Sequence, residues 1–380
     1  MIPELYQKHL KNLLSESQLL FFSIVLIIIQ DIKNIKLEKI AESLPLPIQV
    51  NSRRKKLQRF LSLPIFELKL LWFPILEKWL EQTFTKESKI YLAIDRTNWK
   101  YKNLFMISLI YNNRAIPVYF ELISKLGSSN FSEQTKIISN IIELFNGYQV
   151  IILGDREFCS VKLAKWLDTQ GFIFCLRLKK SEQIQLKNSG WTSLKNCGLK
   201  PGTSLFFENV KVTKTKQITG FSIACKWKKS YRKSVTKEGW FILTNMSSAP
   251  EAISAYKKRF NIEEMFRDYK SGGYNMEGSN VIGKRFISLV IIISFAYLAS
   301  TIQGEKITKQ GVQKYVARVK EYGRSTKRHS SFYIGLYAQN WINFFDKCWE
   351  LVYDLMRLSR HKLDNYLRGM RAMKLIESTF

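Results

Sequence analysis

Histidine is nearly absent from this chain: only His9, His329 and His361 occur, far apart from one another. That scarcity excludes a histidine-rich metal centre and a Ser–His–Asp triad. Cysteine is scarce as well. The five residues Cys159, Cys175, Cys197, Cys225 and Cys348 are odd in number and form no close pairs. They fit neither a disulfide framework nor a thiolate zinc site, and they point to a reducing cytoplasm. Any metal must then be held by carboxylate oxygens, which suits a hard ion such as Mg²⁺. Long apolar runs are also missing. "LLFFSIVLIII" (19–29) and "FISLVIIISFAYLA" (286–299) fall short of the roughly 20 residues a membrane span needs. The first has no cleavage-site pattern, so both are expected as buried helices, with no membrane partner. Acids are few beside bases. The 31 acidic and 60 basic residues leave a net charge of +29, a field that attracts polyanions and above all nucleic acid. With 46% hydrophobic and 13% aromatic residues, the chain is not a disordered basic tail.

What is present divides into three regions. Residues 1–88 read as helical. Within them "KLEKIAESLPLPIQVNSRRKKLQRFLSLP" (36–64) gives a short helix, a Pro-broken connection and a second helix crowded with basic side chains. The pattern suits a helix–turn–helix whose second helix carries Arg53, Arg54 and Lys55 to DNA. A basic, solvated helix is the equal alternative. From residue 89 the period shortens. "KIYLAIDRTNW", "LFMISLIYNN" and "AIPVYFELIS" read as an antiparallel meander. A helix over about 132–146, the strand "YQVIILGDREF", a further helix and the strand "FIFCLRLKK" follow. The fold class is therefore α/β. Residues 181–238 interrupt that rhythm as a basic, β-rich insertion before the strand "GWFILTN". The region 279–380 is again helical. The core is thus bounded at 89–278, between helical N- and C-terminal regions.

Three acids occupy informative places. Asp95 follows "IYLAI", and Asp155 follows "VIILG", at a strand end where α/β sites form. Glu263 lies in "AYKKRFNIEEMFRDYKSGG" (255–273). Read as one helix with about 100° per residue, this segment turns Tyr256, Glu263 and Lys270 the same way, with Arg259 on the adjacent flank. Ile262, Met265, Phe266 and Tyr269 then point to a core. Such a face is either a solvated set of ion pairs or a phosphate-binding surface holding one metal-ligating acid. Three carboxylates brought together repel one another, and divalent cations relieve that repulsion.

On these residues the sequence resembles bacterial insertion-sequence transposases of the DDE class, in the insertion-sequence-four family. That family carries Tyr, two residues, Arg, three residues, Glu, six residues, Lys; Tyr256, Arg259, Glu263 and Lys270 match every interval. "LAIDRT" and "LGDREF" resemble its first and second acid motifs, although many members have Gly where this chain has Glu157. The resemblance covers about 89–275. It implies an RNase H-like core with catalytic Asp95, Asp155 and Glu263 holding Mg²⁺ (or Mn²⁺), two ions in all. It also implies double-stranded DNA partners, the element's terminal inverted repeats and a target, engaged by a homodimer in a synaptic complex. The 3′-OH freed by cutting is joined to target DNA. Arg177 and Lys179 resemble an Arg-x-Lys pair that contacts DNA. Trp240 resembles a platform for a flipped base, or else is a core tryptophan. Tyr256, Arg259 and Lys270 resemble phosphate contacts. The expected location is the cytoplasm, associated with the nucleoid. A catalytically inactive DNA-binding remnant or regulator is the alternative reading.

Overall fold

The β-rich runs that begin at residue 89 join into one ten-stranded sheet of order β3-β2-β1-β4-β5-β10-β9-β8-β6-β7. Its strands are β1 (Lys89–Trp99), β2 (Lys102–Tyr111), β3 (Arg114–Leu122), β4 (Gln149–Gly154) and β5 (Ile173–Arg177), then β6 (Gln183–Gln185), β7 (Trp191–Ser193), β8 (Ser204–Val212), β9 (Ile218–Lys226) and β10 (Trp240–Thr244). The computed structural model describes all residues except 1–2, 126, 187–189, 216, 230–237, 320–321, 323–327, 359–360 and 362. The chain divides into two compact units, Leu80–Phe266 and Met1–Trp79 with Arg267–Phe380.

In the first unit β1, β2 and β3 form the expected antiparallel meander. The strands β4 and β5 join β1 in parallel. The order β3-β2-β1-β4-β5, three antiparallel strands then two parallel, is that of an RNase H-like core. The apolar run of β4 explains its central place. Val150, Ile151, Ile152 and Leu153 are all buried, as in a strand covered on both faces. The connecting helices are α6 (Phe131–Ser139) and α7 (Val161–Thr169), and α8 (Ala249–Lys258) and α9 (Asn261–Tyr269) follow β10. An Asn130–Glu133 capping box opens α6, which ends sooner than the apolar periodicity suggested. The insertion extends the sheet: β9, β8, β6 and β7 continue it antiparallel beyond β10.

The second unit is helical: α1 (Glu4–Leu13), α2 (Glu16–Ile32), α3 (Leu37–Ser43), α4 (Val50–Leu61), α10 (Gly283–Lys309), α11 (Ser331–Leu358) and α12 (Leu363–Glu377), with α5 (Phe73–Thr83) leading into the sheet. The N- and C-terminal helical regions, expected as separate flanks, pack together. The reason lies in the two apolar runs, which bury each other within α2 and α10. Phe295 of α10 receives the rings of Tyr6, Phe22 and Trp72 at 4.9–5.2 Å between centroids. Tyr6 donates a hydrogen bond to the Phe295 carbonyl at 3.0 Å. The apolar run at 286–299 is longer in the structure than in the sequence reading. Among the described residues α10 is the one single helix long and apolar enough to cross a membrane, yet 89% of its apolar window is buried in this unit.

α10 and α11 touch through backbone. A side chain at Gly304 would strike the Ser331 carbonyl, and one at Gly335 would strike the Ser300 carbonyl. No flexible group can yield there. Gly304→Ala is therefore expected to destabilise the helical unit by about 1–3 kcal/mol, the cost of overpacking. Chemical denaturation measures this, and a stability change under about 0.5 kcal/mol would show that the helices separate freely.

Candidate active site

Ile94 of β1 lies opposite Gly154 of β4, so the next residue on each strand is an aspartate. Asp95 and Asp155 thus follow paired residues of neighbouring parallel strands, Asp95 within β1 and Asp155 just past the end of β4, on backbones about 4.8 Å apart. Gly154 is required by space. A Cβ there would stand 2.8 Å from the Phe158 Cβ and 2.9 Å from a Leu176 methyl. Asp155 caps the short turn that follows, its Oδ1 accepting the Glu157 amide at 2.9 Å. Asp95 Oδ1 accepts the Arg96 amide at 2.7 Å.

The third acid arrives through a break. The single helix expected over Tyr256–Lys270 is two helices, because i→i−3 bonds from Arg259, Phe260 and Ile262 tighten the turn between α8 and α9. Lys270 stands just past α9, paired with Glu277 at 2.8 Å. The tightened turn places Arg259, only 4% exposed, between two acids. Its Nη1 lies 3.2 Å from Asp95 Oδ2, and its Nη2 is in close contact with Glu263 Oε1. Glu264 faces away, toward Arg114 at 3.7 Å. Burial pushes the Asp95 carboxyl up to about 6; Arg259 and the Arg96 amide oppose this, while Asp155 and Glu263 add to it. The arrangement is an acid cluster whose repulsion an internal cation relieves. Among the described residues no three acid, histidine or cysteine side chains stand close enough to hold a metal as they are. Arg259 occupies the position between Asp95 and Glu263. The all-oxygen donors nevertheless suit a hard divalent ion.

A family model described as a transposase DDE domain matches residues 86–299. The chain belongs to that family. It is also similar to a piggyBac transposase solved by cryo-electron microscopy in a synaptic complex with hairpin DNA. That similarity has 14% identity and a TM-score of 0.48, over 96% of this chain and 76% of that one. No curated protein matches the chain.

Within this DDE domain Glu157 has a clear task that sequence reading missed. Its carboxylate takes Arg96 Nε and Nη2 at 2.9–3.0 Å and the Ser129 amide and hydroxyl at 2.9 Å. Burial raises the Glu157 pKa, but the bonds from Arg96 and Ser129 outweigh it and the net shift is downward. Arg96 also donates to Asn103 at 2.9 Å. Arg96 and Glu157 follow the first and second aspartates by one and two residues, so the pair ties β1 to the turn after β4. The sequence signal was there: an Arg directly after Asp95 and a Glu two residues after Asp155.

The remaining expected contacts scatter. Tyr256 is fully buried, and Arg177 and Arg259 are the cations beside its hydroxyl. Arg177 is turned toward Glu238 at 3.0 Å, while Lys179 is exposed. Trp240 is half-buried, stacked on Phe260 at 5.6 Å and edge-on to Tyr256 at 5.3 Å. In the helical unit Arg54 and Lys55 are exposed on α4, Arg54 pairing with Glu38 at 3.2 Å. Arg53 instead turns inward and donates to the Glu42 and Leu44 carbonyls at 3.1 and 2.8 Å, closing the α3–α4 corner. Its guanidinium is spent on the turn.

Removing Glu157 strands a guanidinium that is only 13% exposed. Glu157→Ala should cost about 3 kcal/mol, and replacing both partners by apolar residues of similar size should recover much of it. Urea denaturation of the single and double variants decides this, and a double variant no better than Glu157→Ala would contradict the pairing.

Proposed function

We propose that the chain is a DNA transposase. It binds the terminal inverted repeats of its insertion sequence, cuts the ends by metal-dependent phosphodiester hydrolysis and transfers the 3′-OH to target DNA. The observation that carries this reading is the Asp95–Arg259–Glu263 bridge beside Asp155, in a chain of the transposase DDE family. Asp95, Asp155 and Glu263 would hold Mg²⁺, or Mn²⁺ in its place, as two ions. The metal supplies Lewis acidity and charge neutralisation at the phosphate.

The chain's own residues do the rest. Arg259 bridges Asp95 and Glu263 before substrate arrives and opposes the upward push of burial on the Asp95 carboxyl. A DNA phosphate that draws the guanidinium to itself frees Asp95 and Glu263 together, so substrate binding and metal acceptance are coupled. Tyr256, Arg177, Lys179 and Lys270 contact phosphates nearby. Trp240 offers a face for a flipped base, with Phe260 supporting its ring. Residues 1–88 bind the repeat through Arg54 and Lys55 of α4, with Arg53 setting that helix's angle. The region 279–380 pairs two copies in the synaptic dimer. The site of action is the cytoplasm, at the nucleoid.

The substrate for the test is a linear duplex containing the DNA that flanks the gene. Asp95→Asn, Asp155→Asn and Glu263→Gln are each expected to reduce Mg²⁺-dependent cutting by more than about a hundredfold, beyond the loss typical of a metal site's outer shell. Binding in a chelating buffer should change less than about threefold, since no cationic contact is removed. A Glu263→Gln protein that cuts at the wild-type rate would refute the assignment. A wild-type chain that binds these ends and never cuts them would favour the remnant reading.

A further inference from the structure

Three cations from three places in the sheet unit converge on a single carboxylate. Arg156 comes from the turn after β4, Arg177 ends β5, and Lys180 lies just beyond it. All reach Glu238, which precedes β10: Arg177 Nη2 at 3.0 Å, Lys180 Nζ at 3.9 Å, and Arg156 Nη2 in close contact. Glu238 and Arg177 are mostly buried, with side chains 22% and 16% exposed. One negative charge among three positive ones leaves the cluster under-neutralised.

A second observation points the same way. Beside Arg177 the fully buried Tyr256 hydroxyl makes no hydrogen bond of good geometry, and neither does the buried Nε of Arg259. A phosphate oxygen held by Arg177 would offer the neighbouring Tyr256 hydroxyl an acceptor.

We propose that Arg156, Arg177 and Lys180 form a binding site for a DNA backbone phosphate, and that Glu238 stands in the phosphate's place until DNA arrives. A phosphodiester and a carboxylate each carry one negative charge on two equivalent oxygens. The exchange therefore conserves charge while suiting the forked guanidinium donors equally well. Arg156 follows Asp155 directly, so a phosphate gripped there is registered one residue from a catalytic acid. The site rests on the transposase reading and deepens it, adding Arg156, Lys180 and the internal competitor Glu238.

The test is fluorescence anisotropy of the full-length chain with a labelled random duplex, in chelating buffer, across a salt series. Glu238→Gln removes the competitor and should tighten binding about tenfold at about 150 mM salt, steepening the salt dependence by about one counterion. Glu208→Gln, the same charge change at an exposed position on β8, should stay within about twofold. Arg156→Gln with Lys180→Gln should weaken binding about tenfold, and in that background Glu238→Gln should change it less than about twofold. Equal effects of Glu238→Gln and Glu208→Gln would overturn the site, as would full tightening in the doubly substituted background. Inorganic phosphate that stabilises Glu238→Gln against heat, with DNA affinity alike in all variants, would assign the cluster to free phosphate and overturn the DNA assignment. A wild-type chain with no affinity for duplex at low salt would overturn the transposase reading itself. Normal DNA binding indifferent to Glu238 overturns only this site.

Discussion

Arg259 between Asp95 and Glu263 is the contact on which the rest of the site depends. Burial pushes the Asp95 carboxyl up, Asp155 and Glu263 add to that push, and Arg259 opposes it. The chain carries that cation on the same segment as its third acid. Three residues separate them, across the break between α8 and α9, and the guanidinium contacts the carboxylate directly. The tightened turn at Arg259–Phe260 ends α8, which packs on the sheet, before α9 begins. In the proposed reaction the same residue links substrate to metal, because whatever draws Arg259 away exposes both acids at once.

The sheet makes that contact possible. Parallel registration of β1 with β4 fixes Asp95 beside Asp155, and the Arg96–Glu157 pair ties β1 to the turn after β4. The insertion has a structural part as well. By extending the sheet beyond β10 it anchors the strand that leads directly into α8. Arg156, Arg177, Lys180 and Arg259 all lie within the sheet unit, and three acids, Asp95, Glu238 and Glu263, hold them in check.

Much of this was legible in the sequence. The runs before Asp95 and Asp155 are continuous and apolar, which marks central strands, and an acid at the end of such a run needs a reason. Glu263, the acid at the matching interval, pairs with Arg259, while its neighbour Glu264 meets Arg114. What failed to show were features made by backbone hydrogen bonds and distant pairing. A regular 100° step cannot reveal that the turn tightens at Arg259, so Tyr256 was expected on display when it is buried. Basic residues on a short helix look alike in sequence, yet Arg53 caps carbonyls while Arg54 and Lys55 face outward. The union of the two helical ends into one unit depends on packing between residues nearly 300 positions apart, such as Tyr6 and Phe295.

The most direct measurement is anomalous diffraction from crystals of the wild-type chain bound to a short DNA duplex and Mn²⁺. The account predicts metal density at Asp95, Asp155 and Glu263, with the Arg259 guanidinium moved onto a DNA phosphate. Metal density away from these carboxylates, or a metal bound there while Arg259 still joins Asp95 to Glu263, would contradict it.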